Sequence, residues 1–411
     1  MSDRTEPRRR KRRVPPRTTA RALVSRAAQP IQAFLATEAA GGALLLAAAL
    51  LALGWANSPW SAAYERIVEA STTVRVGGFA LRLDVHHVVN DGLMAVFFFV
   101  VGLEITREVR SGELRDRRAA AVPAVAALGG MVVPALVYLA LNAGTPAAHG
   151  WGVPMATDIA FAVGVLTLAA RSAPPGLRSF LLSLAIVDDI GAILVIAVVY
   201  SSGIEPIPLL AACAIVALLV AHRRARRWRV GVHLGLGLAL WVAVAASGIH
   251  ATIAGVLLGL LTPAGPGPDG AVAPLVRLEE RFHPWTSYAI VPAFAFANAG
   301  IHLSASAFAD ALSSPVTLGV LLGLVVGKVV GISLATWIAV RSGLGRLPDA
   351  VGWRGIIGAA AVAGIGFTVA LFVAELAFSD PAVADRARVG ILLASVVAGV
   401  IGFGLLRRVR A

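Results

Sequence analysis

The stretch Phe180-Leu-Leu-Ser-Leu-Ala-Ile-Val-Asp-Asp-Ile-Gly-Ala-Ile-Leu-Val-Ile-Ala-Val-Val199 is apolar throughout except for Ser183 and two adjacent acids, Asp188 and Asp189, near its middle. As a helix it is long enough to cross the hydrocarbon of a bilayer. A carboxylate at that depth costs at least about 2.5–3.5 kcal/mol on insertion scales. Two in succession persist where something uses them. Neighbours on a helix point about 100° apart, so one can face an adjoining helix while the other faces a water-filled cavity. Carboxylates partly stripped of water hold a small cation or a proton and resist carrying two bare charges.

The rest of the chain agrees with a membrane setting. Of 411 residues, 58% are hydrophobic and 14% charged, with mean hydropathy +0.80, against about 25% charged in soluble domains. The fold class read from this is an all-α polytopic membrane protein of about twelve transmembrane helices. The spans are placed at 33–54, 85–106, 119–141, 151–170, 179–200, 207–221, 230–246, 247–261, 285–303, 316–340, 354–378 and 386–407. The domain division is a basic N-terminal tail (1–32), one transmembrane domain (33–407) and a short C-terminus (408–411).

The net charge of +13 follows topology. With the N-terminus in the cytoplasm, 30 of the 36 Lys and Arg fall on the inside and five on the outside, leaving Lys328 within a span. That asymmetry places both termini in the cytoplasm. The run Arg8 to Arg13 suits anionic membrane lipid, and nucleic acid is not expected as a partner. Cys213, the only cysteine, is expected to pack in the sixth span. No Cys/His constellation, nucleophile motif or phosphate-cradling loop is found, so neither an enzyme nor a resident cofactor is expected.

Two spans carry breaks at mid-depth: Ala156-Thr157-Asp158 in the fourth, and Gly364-Ile-Gly366-Phe-Thr368 in the eleventh. Spans 3–5 and 10–12 run in opposite directions, each with an interrupted middle member, which reads as an inverted repeat with two crossing helices. Thr157, Asp158 and unwound carbonyls are hard oxygen ligands suited to Na⁺ or Li⁺. Asp158 alternatively, and preferentially, compensates the positive ends of two half-helices.

Lys328, one of two lysines, lies too deep to reach the headgroups easily. Asp188 and Asp158 are its candidate partners, and a buried lysine can also exchange its proton. Near the cytoplasmic side stand Glu104, Arg107, Glu108, Glu279 and His283, and His250 opens the eighth span. These are candidates for a pH response, with histidine titrating nearest neutrality. Asp91 is a further acid in or near the membrane. Residues 73–84 read as a small β-hairpin on the outside with a Gly77-Gly78 turn, marginal alone and suited to pairing with a second copy.

Taken in order, Asn90-Asp-Gly-Leu-Met-Ala-Val-Phe-Phe98, Ala156-Thr-Asp-Ile-Ala-Phe161, Ala185-Ile-Val-Asp-Asp-Ile-Gly-Ala192, Gly248-Ile-His-Ala-Thr-Ile-Ala-Gly255, Phe294-Ala-Phe-Ala-Asn-Ala-Gly300, Gly327-Lys328 and Gly364-Ile-Gly-Phe-Thr368 resemble the NhaA-type bacterial sodium/proton antiporters. The resemblance implies Na⁺ (or Li⁺)/H⁺ exchange in the inner membrane. It implies Na⁺ bound at Asp188 and Asp189, with Asp189 the main carrier and Lys328 the partner of Asp188. It also implies pH regulation through Glu104, Glu108, His250 and Glu279, and a homodimer through the outside hairpin. Glu280 stands where the best-known members have histidine. The rival readings are a proton-coupled organic-anion symporter on a similar fold and a cation channel.

Overall fold

A computed structural model describes residues 40–409, apart from 77–78, 171–172, 202, 225–227, 266–271 and 303. The basic tail, the start of the first span, the Gly77-Gly78 turn and most of the linker 262–270 lie outside the described residues.

The elements in chain order are α1 (Ala40–Ala56), α2 (Ser61–Val68), strands β1 (Ser71–Val76) and β2 (Phe79–Asp84), α3 (Val85–Ser111), α4 (Arg117–Asn142), the 3-10 segment Pro146–Met155, and α5 (Ile159–Ala169). Then come α6 (Pro175–Val199), α7 (Pro206–Arg224), α8 (Val230–Ala246), α9 (Thr252–Leu260), α10 (Pro274–Trp285), α11 (Val291–Asn298) and α12 (Ala305–Ser313). The last are α13 (Pro315–Arg341), α14 (Trp353–Val362), α15 (Phe367–Ala377) and α16 (Pro381–Leu406). Proline opens α6, α7, α10, α13 and α16, where its missing N–H would have no partner in any case.

Among the described residues, six helices are long and apolar enough to cross a membrane, and eight when each of two bent pairs is taken as one span. Ala40–Ala56 and Val230–Ala246 are apolar but shorter. The remaining two expected spans fall on α9 and α11, shorter still. Outward faces carry large apolar side chains such as Leu50, Leu136, Val198, Ile207 and Val400, as a helix facing hydrocarbon does. Cys213 belongs to this outward surface, a correction to the packed position expected for it; Ala211, Ala214 and Ala217 of α7 are exposed as well, while Ala212 and Leu219 face inward.

Strands β1 and β2 pair antiparallel from Ser71↔Asp84 to Val76↔Phe79, so the ladder starts two residues before the expected stretch. Asp84 then accepts from His87 N and opens α3.

One large apolar cluster surrounds the bent pairs, including Phe180, Leu184, Phe294, Ala359, Ala363 and Phe372. A smaller one joins α7, α8, α9 and α10 to α3 through Phe99, Leu103, Leu219, Leu240 and Leu258. Glycines set the closest approaches: a Cβ at Gly331 of α13 would overlap Gly129 O of α4. Lys328 lies one turn before that crossing, and a π-helical turn over Gly323–Gly327 immediately precedes it.

Candidate functional site

The first bent pair, Pro146–Met155 with α5, turns by 43°, and the second, α14 with α15, by 48°. Their breaks meet. Asp158 N donates to Ile365 O at 2.7 Å, and Thr157 Oγ1 to Ala363 O at 2.8 Å. Glycine is required here because a Cβ at Gly364 would overlap Leu324 O and one at Gly366 would press on Ala156 O. Extended backbone at a break exposes groups that a helix would pair internally, and in this fold each break supplies partners to the other.

Both α5 and α15 begin at this crossing, so two positive helix ends face each other. Asp158 joins them. Its Oδ1 accepts from Phe161 N at 3.1 Å, and its Oδ2 accepts from Thr368 N at 3.1 Å and Thr368 Oγ1 at 2.5 Å. On the other side, Met155 O ends the 3-10 segment and accepts from Lys328 Nζ. One buried anion thus sits at helix N-termini and one buried cation at a carbonyl end.

Lys328 Nζ is also 2.8 Å from Asp188 Oδ2, and both side chains are at most 1% exposed. Of the two partners the sequence offered for Lys328, the structure pairs it with Asp188. Asp188 Oδ1 is buried without a hydrogen-bond partner among the described residues. Asp189 points elsewhere. It lines a cavity of about 830 Å³ together with Thr157, Asp158 and Thr368, whereas Asp188 and Lys328 do not line it. Asp189 is itself buried and makes no hydrogen bond or ion pair among the described residues.

The cavity runs from this crossing to the surface at Glu113 and Pro175, past Glu104, Arg107, Glu108, Arg178 and His283. Arg107 Nη1 lies 3.2 Å from Glu279 Oε1, and His283 Nε2 lies 4.0 Å from Glu104 Oε1. Glu108 Oε1 accepts from Glu113 N at 2.9 Å. Burial pushes the Glu279 carboxyl above the ordinary range, and the Arg107 guanidinium opposes that rise.

Two expected members fall outside this assembly. His250 Nε2 lies 2.9 Å from Tyr200 O, just beyond the C-terminal end of α6, while Arg178 of the cavity is near the N-terminal end of that helix. Some twenty helical residues separate those ends, about 30 Å. Asp91 lies in a π-helical turn of α3, its carbonyl accepting from Trp241 Nε1 at 3.0 Å, and does not line the cavity.

A second polar group was not singled out in the sequence. Glu375 near the end of α15 lies 2.6 Å from Arg388 Nη2 of α16, and Arg388 Nη1 lies 2.8 Å from Asp385. His86 Nδ1 of α3 is 3.8 Å from Glu375. The available signal was a carboxylate inside the apolar run 354–378.

The fold and this arrangement define a class: a multi-pass membrane protein in which two broken helices cross beside buried carboxylates and a buried lysine. Comparison narrows it. The family described as Na+/H+ antiporter 1 matches residues 32–406. Similar proteins include the Na(+)/H(+) antiporter NhaA 3 of Frankia alni, 45% identical over 94% of this chain and 90% of its own. The Na(+)/H(+) antiporter NhaA of Rhodospirillum rubrum is 48% identical over 92% and 97%, and the NhaA 2 of Pseudomonas savastanoi 49% over 92% and 95%. The chain therefore belongs to the Na+/H+ antiporter family, whose members are transporters and not enzymes.

Proposed function

We propose that this protein is a secondary active antiporter that exports Na⁺ or Li⁺ in exchange for H⁺ across the bacterial inner membrane. The observation that carries the reading is Asp189: a buried carboxylate at the depth of a cavity that runs to the surface at Glu113 and Pro175. Its neighbours there, Thr157, Asp158 and Thr368, supply oxygen, which suits a hard monovalent cation.

The exchange follows from competition. Asp189 binds either Na⁺ or a proton, so arrival of one expels the other. Asp188, outside the cavity wall, neutralises Lys328 and keeps that buried cation beside the site. Asp158 holds the two half-helices together and keeps the crossing polar. Access then alternates between faces as the inverted repeats, spans 3–5 and 10–12, rock about this fixed centre. The twelve-span topology puts both termini and the cavity mouth in the cytoplasm and the hairpin 73–84 outside, where it pairs with that of a second copy. Glu104, Arg107, Glu108, Glu279 and His283 form a charged mouth that attracts cations and changes with pH.

The test is the collapse of a pH gradient in everted vesicles on addition of Na⁺ or Li⁺. Wild type collapses the gradient and Asp189→Asn, at equal expression, does not. Equal collapse in both retains antiport and rejects Asp189 as the carrier. No collapse in wild type between about pH 6 and 9, which brackets histidine titration, favours an organic-anion symporter.

A further inference from the structure

At the end of the molecule opposite the cavity mouth, two layers of contacts hold α15 to its neighbours. Thr368, Phe372 and Glu375 follow one another along one face of α15, at i, i+4 and i+7. Thr368 is held on Asp158 at the crossing. Phe372 packs between Phe98 of α3 and Phe294 of α11, at ring-centroid distances of 5.3 and 6.2 Å. Beyond that apolar layer, Glu375 is tied to α16 by Arg388 and approached by His86 of α3. A polar chain leads back inward from His86: its Nδ1 is 3.0 Å from Asn90 Nδ2, and Asn90 Oδ1 accepts from Asn298 Nδ2 at 2.9 Å.

Resting on the antiport reading, we propose that the Glu375–Arg388 pair is a latch holding the far end of the pathway shut while Asp189 faces the cavity. The latch acts on the helix that matters. Anything that opens the far end has to move Phe372 out of its aromatic contacts, and Phe372 moves with α15. Arg388, with Asp385 and Glu375 both in reach, holds the end of α15 against α16. His86 Nδ1 stands 3.8 Å from Glu375, so α3 also approaches this carboxylate. Arg388 and Glu375 are 17% and 27% exposed, so water reaches the pair and it can break and re-form within a transport cycle. Glu375 and Arg388 are positioning residues: neither touches the cation site in this state.

A latch on one of two states shifts their populations, and apparent affinity on each face scales with the population open to that face. Glu375→Gln and Arg388→Gln are expected to raise the apparent KM for Na⁺ at the cavity face and lower it at the far face, the two changes multiplying to about three- to five-fold, as for an ion pair of modest strength. The charge-swapped double variant Glu375→Arg/Arg388→Glu is expected to return both values toward wild type. Changes of the same sign on both faces, or none on either, would overturn the latch.

A second readout does not depend on exchange. In a Cys213→Ser background, Asn298→Cys lies beneath the latch and is labelled from outside with a membrane-impermeant maleimide. Labelling is expected to quicken when Glu375→Gln is added; an unchanged rate overturns the latch. Absence of exchange in wild type would sink the antiport reading and leave this labelling comparison to decide the latch.

Discussion

Lys328 is fully buried, and its charge is met by Asp188 Oδ2 and the Met155 carbonyl. Breaking such a pair by removing one partner costs roughly 3–5 kcal/mol, because an uncompensated charge is left behind, while replacing both partners by apolar groups can be near neutral. Lys328→Met is thus expected to lower the thermal midpoint of the purified protein clearly, and Asp188→Leu added to it to recover most of that loss; a double variant less stable than the single would contradict the pairing. Glu279 gives a pH prediction. Its folded value is raised, so ionising it in the fold costs free energy that is absent below its ordinary value and accrues as pH climbs toward the raised one. Glutamine mimics the protonated form at every pH, with Arg107 left unpaired. Glu279→Gln is expected to hold exchange at alkaline pH down to its acid-side level; an unaltered pH profile in vesicles would remove Glu279 from the pH response.

At the scale of the element, the crossing depends on Asp158 serving two helix N-termini at once. Thr368→Val keeps the shape but deletes the 2.5 Å hydroxyl donor. A lost hydrogen bond to a charged group is worth about 1.5–3 kcal/mol, so a lower thermal midpoint and slowed exchange are expected together; wild-type values for both would mean the hydroxyl is dispensable. The α4–α13 crossing is stricter, and Gly331→Leu is expected to prevent assembly, read as loss of a monodisperse peak. Much of this was legible in the sequence: the two breaks, the acid pair with its diverging directions, and Lys328 with a short choice of partners. Period and composition carry that information directly. Which acid takes the lysine depends on the rotation of α6 against α13, which no local pattern encodes. The separation of His250 from Glu104 and Glu279 was legible too: with the N-terminus inside, the eighth span starts on the outside, so a histidine that opens it lies at the face opposite Glu104 and Glu279. Glu375 was passed over because a carboxylate near a span end ordinarily marks an interface, and its significance comes from Arg388, 13 residues later on another helix.

For the whole molecule, the account has one face open and one closed around a fixed set of charges. The charge moved per cycle decides whether voltage drives it. If more protons enter than Na⁺ leaves, turnover gains about 2.3 kcal/mol per net charge per 100 mV, and exchange in vesicles is expected to accelerate with membrane potential; indifference to potential would make the exchange electroneutral. The two-stranded hairpin is marginal by itself, so deleting residues 73–82 is expected to convert dimers to monomers in native mass spectra, and unchanged dimers would place the contact elsewhere. The central claim is that Na⁺ and H⁺ compete for Asp189. It is tested most directly by the apparent Na⁺ dissociation constant of purified protein as a function of pH. Each competing proton is expected to tighten binding by up to about tenfold per pH unit on the acid side of the site's titration, with proton release on adding Na⁺ that Asp189→Asn abolishes. A dissociation constant independent of pH, or proton release that survives Asp189→Asn, would contradict the claim.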